Sequence, residues 1–326
     1  MRCVTIERFG IPAEVVSLGE RPLPEPGPGE VRVRMRLSPI HNHDLAIVRG
    51  VYGYKPPLPA VPGTEALGVV DALGEGVTTL RVGQRVASAA ASAAWADYFL
   101  SAAPKLVPMP DGLPDELACQ LLAMPLSALM LLEDLQIGQG EWMVQNAANG
   151  AVGKTLAGLA KARGVNIVNL VRRDAAVAEM EALGITNTVS TEAPDWPKRV
   201  AALTGGAPIV RAVESIGGEA ANQLASVLGD NGLLMSFGSL TFKPLVIGAE
   251  HLVFKQTTVK GYWASKRVAA TPPAELARMM GELIRLAAAG TLQLPVEAVH
   301  DLAEAATAMA AAERPGRAGK VLLKGA

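Results

Sequence analysis

The sequence predicts an α/β protein in which a doubly wound parallel sheet is joined to a second, β-rich domain. Between residues 142 and 237, apolar runs of strand length alternate with Ala-rich helical stretches. This alternation is typical of parallel strands with crossover helices on both faces. The first hundred residues instead hold short apolar runs separated by turns rich in Gly and Pro. A length of 326 residues, 50% of them hydrophobic, suits two domains.

Each element follows from its local pattern. The strands predicted in the β-rich part cover 31–37, 66–73 and 85–89. The strands predicted in the alternating part cover 142–146, 166–171, 188–189, 209–215 and 232–237, and the helices between them cover 152–163, 175–183, 199–203 and 219–228. We also expect a buried helix over 117–132, a long helix over 274–289 and a short β segment over 320–323.

Composition excludes several classes of protein. Lys plus Arg total 30 and Asp plus Glu total 31, so no basic surface for nucleic acid or anionic lipid is expected. Two cysteines exclude a disulfide framework and a zinc site built mainly from thiolates. The longest uncharged apolar stretch, 117–132, is too short to span a membrane and contains Pro125. The first residues lack the apolar region of a signal peptide, so we expect cytosolic residence.

A glycine-containing turn follows the first strand of the alternating part. It is a variant of the G-x-G-x-x-G pattern with Ala148 in the first glycine position. Gly150 lets the backbone approach a pyrophosphate, and Gly153 lets the next helix pack closely on the sheet. The N-terminus of that helix presents free N–H groups to phosphate. An ordinary tight turn is the alternative. The loop residues predicted to bind the cofactor are Asn149, Gly150, Ala151, Val152 and Gly153.

Two arginines after the second strand of the alternating part predict which nicotinamide cofactor fits. An acidic residue at this position would bond the adenosine ribose of NAD, whereas Arg172 and Arg173 stand here. Two guanidinium groups can hold a 2′-phosphate through charge-assisted hydrogen bonds. The sequence therefore predicts NADPH, and a solvated charged turn that includes Asp174 is the alternative.

Several motifs, taken together, resemble the medium-chain dehydrogenase/reductase superfamily over essentially the whole chain. They are PGEV at 28–31, PGTEALG at 62–68, GEGV at 74–77, LGIT at 183–186, ESIGG at 214–218, FGS at 237–239 and GKVLL at 319–323. The resemblance implies a GroES-like catalytic domain over 1–114 and a Rossmann NADPH-binding domain over 115–255. It also implies a return segment over 256–326 that completes the catalytic domain.

The resemblance assigns further residues to the cofactor. Ser127 stands where related enzymes place a hydroxyl near the nicotinamide, and a structural helix serine is the alternative. Tyr262 and Trp263 are similar to a segment that lies along the cofactor. The residues that the resemblance assigns to cofactor binding outside the glycine loop are Ser127, Arg172, Arg173, Phe237, Gly238, Ser239, Leu240, Tyr262, Trp263 and Lys320.

The sequence departs from the zinc alcohol dehydrogenases of this superfamily. Those enzymes hold their metal through a Cys, a His in a Gly-His-Glu motif and a later Cys. Here His41 stands near the first position, Thr64 replaces the motif histidine, and no cysteine occupies the third position. His41 and His43 could share one side of an extended segment, but a third ligand is not evident. We therefore expect no metal, and hydrogen-bonded loop histidines.

Zinc-free members of the superfamily reduce C=C bonds or quinones with NADPH. Two motifs resemble the mitochondrial-type 2-enoyl thioester reductases: the loop over 145–153 with the arginine after it, and the segment over 44–53. The second motif places the catalytic tyrosine at Tyr52, a neutral phenol that can donate a proton or bond an enolate oxygen. Packing alone is the alternative for Tyr52, and Tyr54 could take its part. Two departures lie near the substrate: Met124-Pro125 replaces Asn-Pro, and HNHD at 41–44 replaces Asn-Pro-Ser-Asp.

The sequence therefore predicts a zinc-independent, NADPH-dependent reductase of a small molecule: an enoyl thioester, an enone or a quinone. An NADPH:quinone oxidoreductase without tyrosine acid catalysis is one alternative, because a quinone accepts hydride readily. A non-catalytic NADPH-binding sensor is the alternative from another class. The resemblance also implies a homodimer formed through the edge of the cofactor domain.

Overall fold

A computed structural model describes residues 1–91 and 93–326. The chain divides into two compact units, of which the first comprises Met1–Ala123 with Leu294–Ala326 and the second comprises Met124–Gln293. Both boundaries lie later in the chain than the sequence predicted. The return to the first unit begins at Leu294 rather than at residue 256, because a strand at 258–261 still belongs to the sheet of the second unit.

The strands and helices are numbered in chain order. The strands are β1 (Arg2–Ile6), β2 (Val16–Glu20), β3 (Glu30–Pro39), β4 (Ala66–Leu73), β5 (Arg85–Ser88), β6 (Tyr98–Ala102), β7 (Val107–Pro108), β8 (Trp142–Gln145), β9 (Asn166–Val171), β10 (Thr188–Ser190), β11 (Ile209–Glu214), β12 (Leu233–Ser236), β13 (Thr258–Gly261), β14 (Val296–Asp301) and β15 (Lys320–Lys324). The helices are α1 (Pro12–Val15), α2 (Asn42–Arg49), α3 (Asp115–Ala118), α4 (Met124–Asp134), α5 (Ala151–Ala162), α6 (Ala175–Glu181), α7 (Trp196–Thr204), α8 (Ala220–Val227), α9 (Ala249–Val253), α10 (Ala264–Ala269), α11 (Pro273–Ala288) and α12 (Ala305–Glu313).

The first unit is built on a mainly antiparallel sheet of order β14-β15-β3-β4-β5-β7, with β6 also paired to β3. β3 is long because alternate side chains enter the core, among them the fully buried Val31, Val33 and Met35. β15 pairs with β14 in parallel and with β3 antiparallel, so a strand from the C-terminal segment lies inside the sheet. This arrangement confirms the predicted β-rich domain.

The second unit is a parallel sheet of order β10-β9-β8-β11-β12-β13. β8 is the first of these strands in the chain and pairs with β9 on one side and β11 on the other. The winding direction therefore reverses at β8, which is the topology of a doubly wound fold. The apolar side chains of the central strands are buried, for example Val144, Val168 and Ala212. The predicted fold class is confirmed.

Two predicted elements differ from the structure. The helix expected over 117–132 is split into α3 and α4, because the N–H groups of Leu122 and Ala123 donate to Glu65 Oε1 at 2.7 and 2.8 Å. The segment of His41 and His43, expected to be an extended loop, contains α2, and His41 is its N-cap. No helix among the described residues is both long enough and apolar enough to cross a bilayer.

Candidate functional site

Most of the predicted cofactor residues lie at one edge of the second unit's sheet. The glycine loop follows β8, Arg172 follows β9, Phe237 follows β12 and Tyr262 follows β13. Since all these strands are parallel, their carboxyl ends meet at the same edge. In an open α/β sheet, ligands bind outside the carboxyl ends at the point where the winding direction reverses, here between β8 and β11.

The loop between β8 and α5 has the shape that a dinucleotide site needs. Gly150 is the N-cap of α5, with extended backbone angles, and its N–H donates to Ala147 O at 2.9 Å. A Cβ on Gly153 would lie 2.5 Å from Ala148 O and 2.6 Å from Ala148 Cα, so a larger residue would collide with backbone. The first N–H groups of the twelve-residue α5 have no intrahelical partner and can bind an anion.

The buried side-chain amides of Gln145 and Asn169 support this loop through hydrogen bonds. Gln145 Nε2 donates to Gly153 O at 2.8 Å and to Asn169 Oδ1 at 2.7 Å, and Asn169 Nδ2 donates to Thr186 O at 2.9 Å. Gln145 and Asn169 are almost fully buried. The amides therefore couple the loop to two neighbouring strands. This role of the two amides was not predicted, although amide side chains inside apolar strand patterns are a signal visible in the sequence.

A second support joins the loop to the end of β11. Asn146 Nδ2 donates to Glu214 Oε1 at 3.1 Å, and Asn146 Oδ1 accepts the N–H of Ser215 at 2.8 Å. The same Glu214 oxygen accepts the N–H groups of Ile216 and Gly217, both at 2.7 Å. Glu214 is fully buried, so it shapes the turn after β11 rather than reaching a ligand. The sequence alone assigned Glu214 no role in the site, although it is a carboxylate near the end of the predicted apolar strand over 209–215.

The two arginines after β9 differ in their surroundings. Arg173 Nη2 lies 3.5 Å from Glu179 Oε1 in an exposed ion pair. Arg172 is exposed, and within the described residues it forms neither a hydrogen bond nor an ion pair. A guanidinium group without a protein partner, next to a dinucleotide loop, fits a bound phosphate. Arg172 is therefore the better candidate of the two for a 2′-phosphate.

The remaining predicted cofactor residues of the second unit lie around the same edge or on α4. The rings of Phe237 and Tyr262 are 5.9 Å apart, and burial raises the pKa of the Tyr262 phenol. Trp263 is 42% exposed, with Lys266 Nζ 5.7 Å from its ring. Ser127 is buried on α4. Of the residues that follow Phe237, Gly238 is partly exposed, and Ser239 and Leu240 are exposed.

In the first unit, the predicted catalytic residue Tyr52 lies directly after α2. Its backbone N–H donates to Ala46 O at 3.3 Å, and its partly exposed ring lies 5.9 Å from that of His43. Tyr54, two residues on, is 58% exposed. Of the two tyrosines, Tyr52 is the less exposed, and its ring lies beside that of His43.

Beneath Tyr52 lies a buried polar cluster. His41 Nε2 is 2.7 Å from Glu65 Oε2, and both side chains are fully buried. Burial raises the pKa of Glu65 to about 8 and lowers that of His41 well below its usual value. Lys320, predicted to bind cofactor, is partly buried here, and its Nζ donates to Ile40 O at 3.3 Å. Burial lowers its pKa to about 8. Within the described part of the chain, no three His, Cys, Asp or Glu side chains are arranged to hold a metal ion.

Two family models match the chain. The model described as alcohol dehydrogenase GroES-like domain matches residues 27–111, and the model described as zinc-binding dehydrogenase matches residues 151–283. Among curated proteins, the mitochondrial enoyl-[acyl-carrier-protein] reductase of Arabidopsis thaliana is 30% identical over 305 residues, or 91% of this chain and 81% of the relative. The human enzyme of the same name is 27% identical over 329 residues, or 99% of this chain and 88% of the relative.

Solved structures agree. The Escherichia coli quinone oxidoreductase complexed with NADPH has a TM-score of 0.90 at 25% identity, covering 99% of this chain and 100% of that chain. The quinone oxidoreductase of Pseudomonas syringae has a TM-score of 0.87 at 27% identity, covering 99% of each chain. Together with the doubly wound sheet and the β-rich unit, these matches confirm the resemblance seen in the sequence. The chain belongs to the medium-chain dehydrogenase/reductase superfamily.

Proposed function

We propose that this chain is a zinc-independent, NADPH-dependent reductase that transfers hydride to the activated C=C bond of a 2-enoyl thioester. As a member of its superfamily it is an NADPH-dependent oxidoreductase, and the loop over 149–153 with Arg172 suits that cofactor. The observation that carries the enoyl thioester assignment is Tyr52, partly exposed beside His43 in a chain 30% identical to an enoyl-[acyl-carrier-protein] reductase. A phenol there can donate to the enolate oxygen or protonate the enolate.

When bound, NADPH supplies the hydride, and the protein supplies position and proton. In the second unit, Gly150 and the start of α5 would hold the pyrophosphate, and Arg172 would hold the 2′-phosphate. In the first unit, Tyr52 stabilises the negative charge that develops on the substrate oxygen. A tyrosine is suited to this role because its hydroxyl is neutral and donating near pH 7.

Zinc independence rests on what the histidines of the first unit already bond. His41 Nε2 is held by Glu65 at 2.7 Å, and His43 Nε2 is held by Thr64 at 2.7 Å, where the zinc enzymes carry a metal-binding histidine. The Nε2 atoms of both histidines are thus already engaged, which supports a site without zinc. Turnover should therefore survive dialysis against a chelator and should not rise on addition of zinc. Loss of activity that only zinc restores would contradict the proposal.

The first experiment is NADPH oxidation, with NADH in parallel, against trans-2-enoyl-CoA and against 1,4-benzoquinone. We expect turnover of the enoyl thioester with NADPH, and a large loss in Tyr52→Phe. Tyr54→Phe is the matched control, because that ring is 58% exposed, and it should retain wild-type turnover. Turnover of quinone alone, unchanged in Tyr52→Phe, would establish the quinone oxidoreductase alternative, which the names of the structural relatives favour.

We further propose a homodimer formed through β13, and residence in the cytosol. β13 is an edge strand whose four residues are all exposed, and an unpaired edge can pair with a second copy. Large apolar side chains nearby are also exposed, including Val253 at 63% and Phe254 at 81%. Light scattering should give the mass of two chains, and Val259→Pro on β13 should give the mass of one. A wild-type monomer at micromolar concentration would contradict the dimer.

A further inference from the structure

His43 is a titratable side chain that the proposed function leaves unused. Its side chain is 20% exposed, and its ring lies 5.9 Å from Tyr52. On its other side it stacks on the ring of buried His41, with centroids 5.0 Å apart and planes 17° apart. His43 therefore reaches solvent from a rigid support, on the part of the first unit that carries Tyr52.

A chain of hydrogen bonds fixes the tautomer of His43. Asp44 is fully buried, and its Oδ2 accepts the backbone N–H of His41 at 2.9 Å while its Oδ1 accepts the hydroxyl of Thr64 at 2.8 Å. Thr64 has one hydroxyl hydrogen, which it gives to Asp44. Its oxygen must therefore accept from His43 Nε2–H, 2.7 Å away. Nδ1 is then the ring nitrogen at which His43 gains and loses a proton.

We propose that His43 is the acid that protonates the α-carbon of the substrate, and that Thr64 and Asp44 are positioning residues that hold it. This inference rests on the proposed function, and it divides the work between two side chains. Tyr52 donates a hydrogen bond to the enolate oxygen, and His43 delivers the proton. A buried carboxylate that orients an imidazole and supports its protonated form is the arrangement known from Ser-His-Asp enzymes, here with a threonine hydroxyl in between.

The charges around His43 suit an acid that must release its proton. Asp44 Oδ1 lies 3.6 Å from His43 Nε2 and favours the imidazolium ion. Burial lowers the pKa of His43, as does the positive charge of Lys320, which faces it from β15. Among the described residues of the first unit, the buried His41–Glu65 pair and Tyr52 also lie close to His43. A histidine with a lowered pKa is a stronger acid, and its exposed part lets water restore the proton.

After hydride has formed the new C–H bond at the β-carbon, the former C=C electron pair lies in the enolate. The Nδ1–H bond of His43 breaks, its proton forms the C–H bond at the α-carbon, and the bonding pair stays on Nδ1. Water then reprotonates Nδ1. The sum is uptake of one hydride and one proton by the substrate.

The test is the pH dependence of kcat with NADPH and trans-2-enoyl-CoA. For the wild type we expect kcat to fall as pH rises through the pKa of His43, because the acid must be protonated. In His43→Gln we expect kcat to drop about 100-fold or more and this falling limb to vanish. His300→Gln is the matched control: its side chain is 18% exposed, close to the 20% of His43, and it lies on β14, a strand that carries none of the residues of the proposed step. It should keep both rate and limb.

A second variant keeps the proposal testable if His43→Gln folds poorly. Thr64→Val removes the acceptor of Nε2–H, which destabilises the imidazolium ion. The limb should therefore move to lower pH, in step with the pKa of His43 measured by NMR, for which no substrate is needed. If the limb persists in His43→Gln, or does not move in Thr64→Val, His43 is not the acid. A wild type that does not reduce the enoyl thioester at all would instead refute the proposed function.

Discussion

Replacing Gly153 by alanine tests whether the glycine loop is built as described. A Cβ at this position would lie 2.5 Å from Ala148 O and 2.6 Å from Ala148 Cα, distances that real contacts do not reach. Both atoms belong to the backbone of the loop, so no flexible side chain can yield. The loop must move away from α5, or α5 away from the sheet.

The magnitude follows from two opposing contributions. Overpacking a well-packed site costs about 1–3 kcal/mol, and contact with backbone favours the upper end. Alanine in place of glycine in a helix returns about 0.8–1.0 kcal/mol. We therefore expect Gly153→Ala to lower the free energy of unfolding by about 2 kcal/mol. Gly281→Ala on α11 is the matched control, since its Cβ would meet nothing within 4 Å, and it should raise stability by about 1 kcal/mol.

Urea unfolding of the two variants and the wild type measures both effects, and NADPH titration by fluorescence measures the state of the loop. Gly153→Ala should bind NADPH more weakly, because the displaced loop no longer fits the pyrophosphate, whereas Gly281→Ala should bind it as the wild type does. An equal gain of stability in both variants, or unchanged NADPH affinity in Gly153→Ala, would refute this account of the loop.

Three more predictions concern charged groups. Arg172→Ala should weaken NADPH binding by about 10- to 100-fold and leave NADH binding unchanged, because a charge-assisted hydrogen bond contributes about 1.5–3 kcal/mol. Arg173→Ala should weaken NADPH binding less, because Arg173 already pairs with Glu179, and equal losses in the two variants would contradict the assignment. Glu65→Ala should lower the free energy of unfolding by about 3–5 kcal/mol, because it leaves two backbone N–H groups and His41 unpaired. Glu65→Gln should lower it by clearly less, and equal urea midpoints for the two variants would contradict this prediction. The free energy of unfolding should fall between pH 6.5 and about 8, because folded Glu65 keeps a proton that the unfolded chain releases. It should rise between about pH 8 and 10.5, because folded Lys320 has lost a proton that the unfolded chain keeps. Urea midpoints that peak near pH 8, or a minimum that persists in the double variant Glu65→Gln, Lys320→Met, would refute these pKa directions.

The parallel sheet was predictable from the sequence because its central strands are buried on both faces. Such strands are continuous apolar runs in the sequence, and short connections separate them from the helices that lie between them in the chain. β13 was not predicted as a strand, because all four of its residues are exposed at the sheet edge and carry no apolar pattern. The glycine loop was predictable for another reason: a close contact with the backbone of Ala148 requires glycine at position 153, and that glycine is visible in the sequence.

The buried cluster of the first unit was not predictable in this way. His41 and Glu65 are 24 positions apart, and Lys320 reaches Ile40 across 280 positions, so no local pattern specifies these contacts. Helix α2, in contrast, has N-terminal and C-terminal signals in the sequence from which it could have been predicted. Asp44 stands three residues after His41, as acidic residues do in the first turn of a helix, and Gly50 ends the helix with a φ of 73°.

The position of β15 has a consequence for synthesis on the ribosome. β15 lies between β14 and β3 in the sheet of the first unit, and Leu322 pairs with Pro39. Until residues 320–324 have been translated, residues 37–39 of β3 lack this partner strand, and an unpaired strand edge promotes aggregation. The second unit, in contrast, is one continuous stretch over Met124–Gln293. We expect the second unit to fold first during translation. The nascent first unit stays incompletely folded, and depends on chaperones, until β15 has been translated.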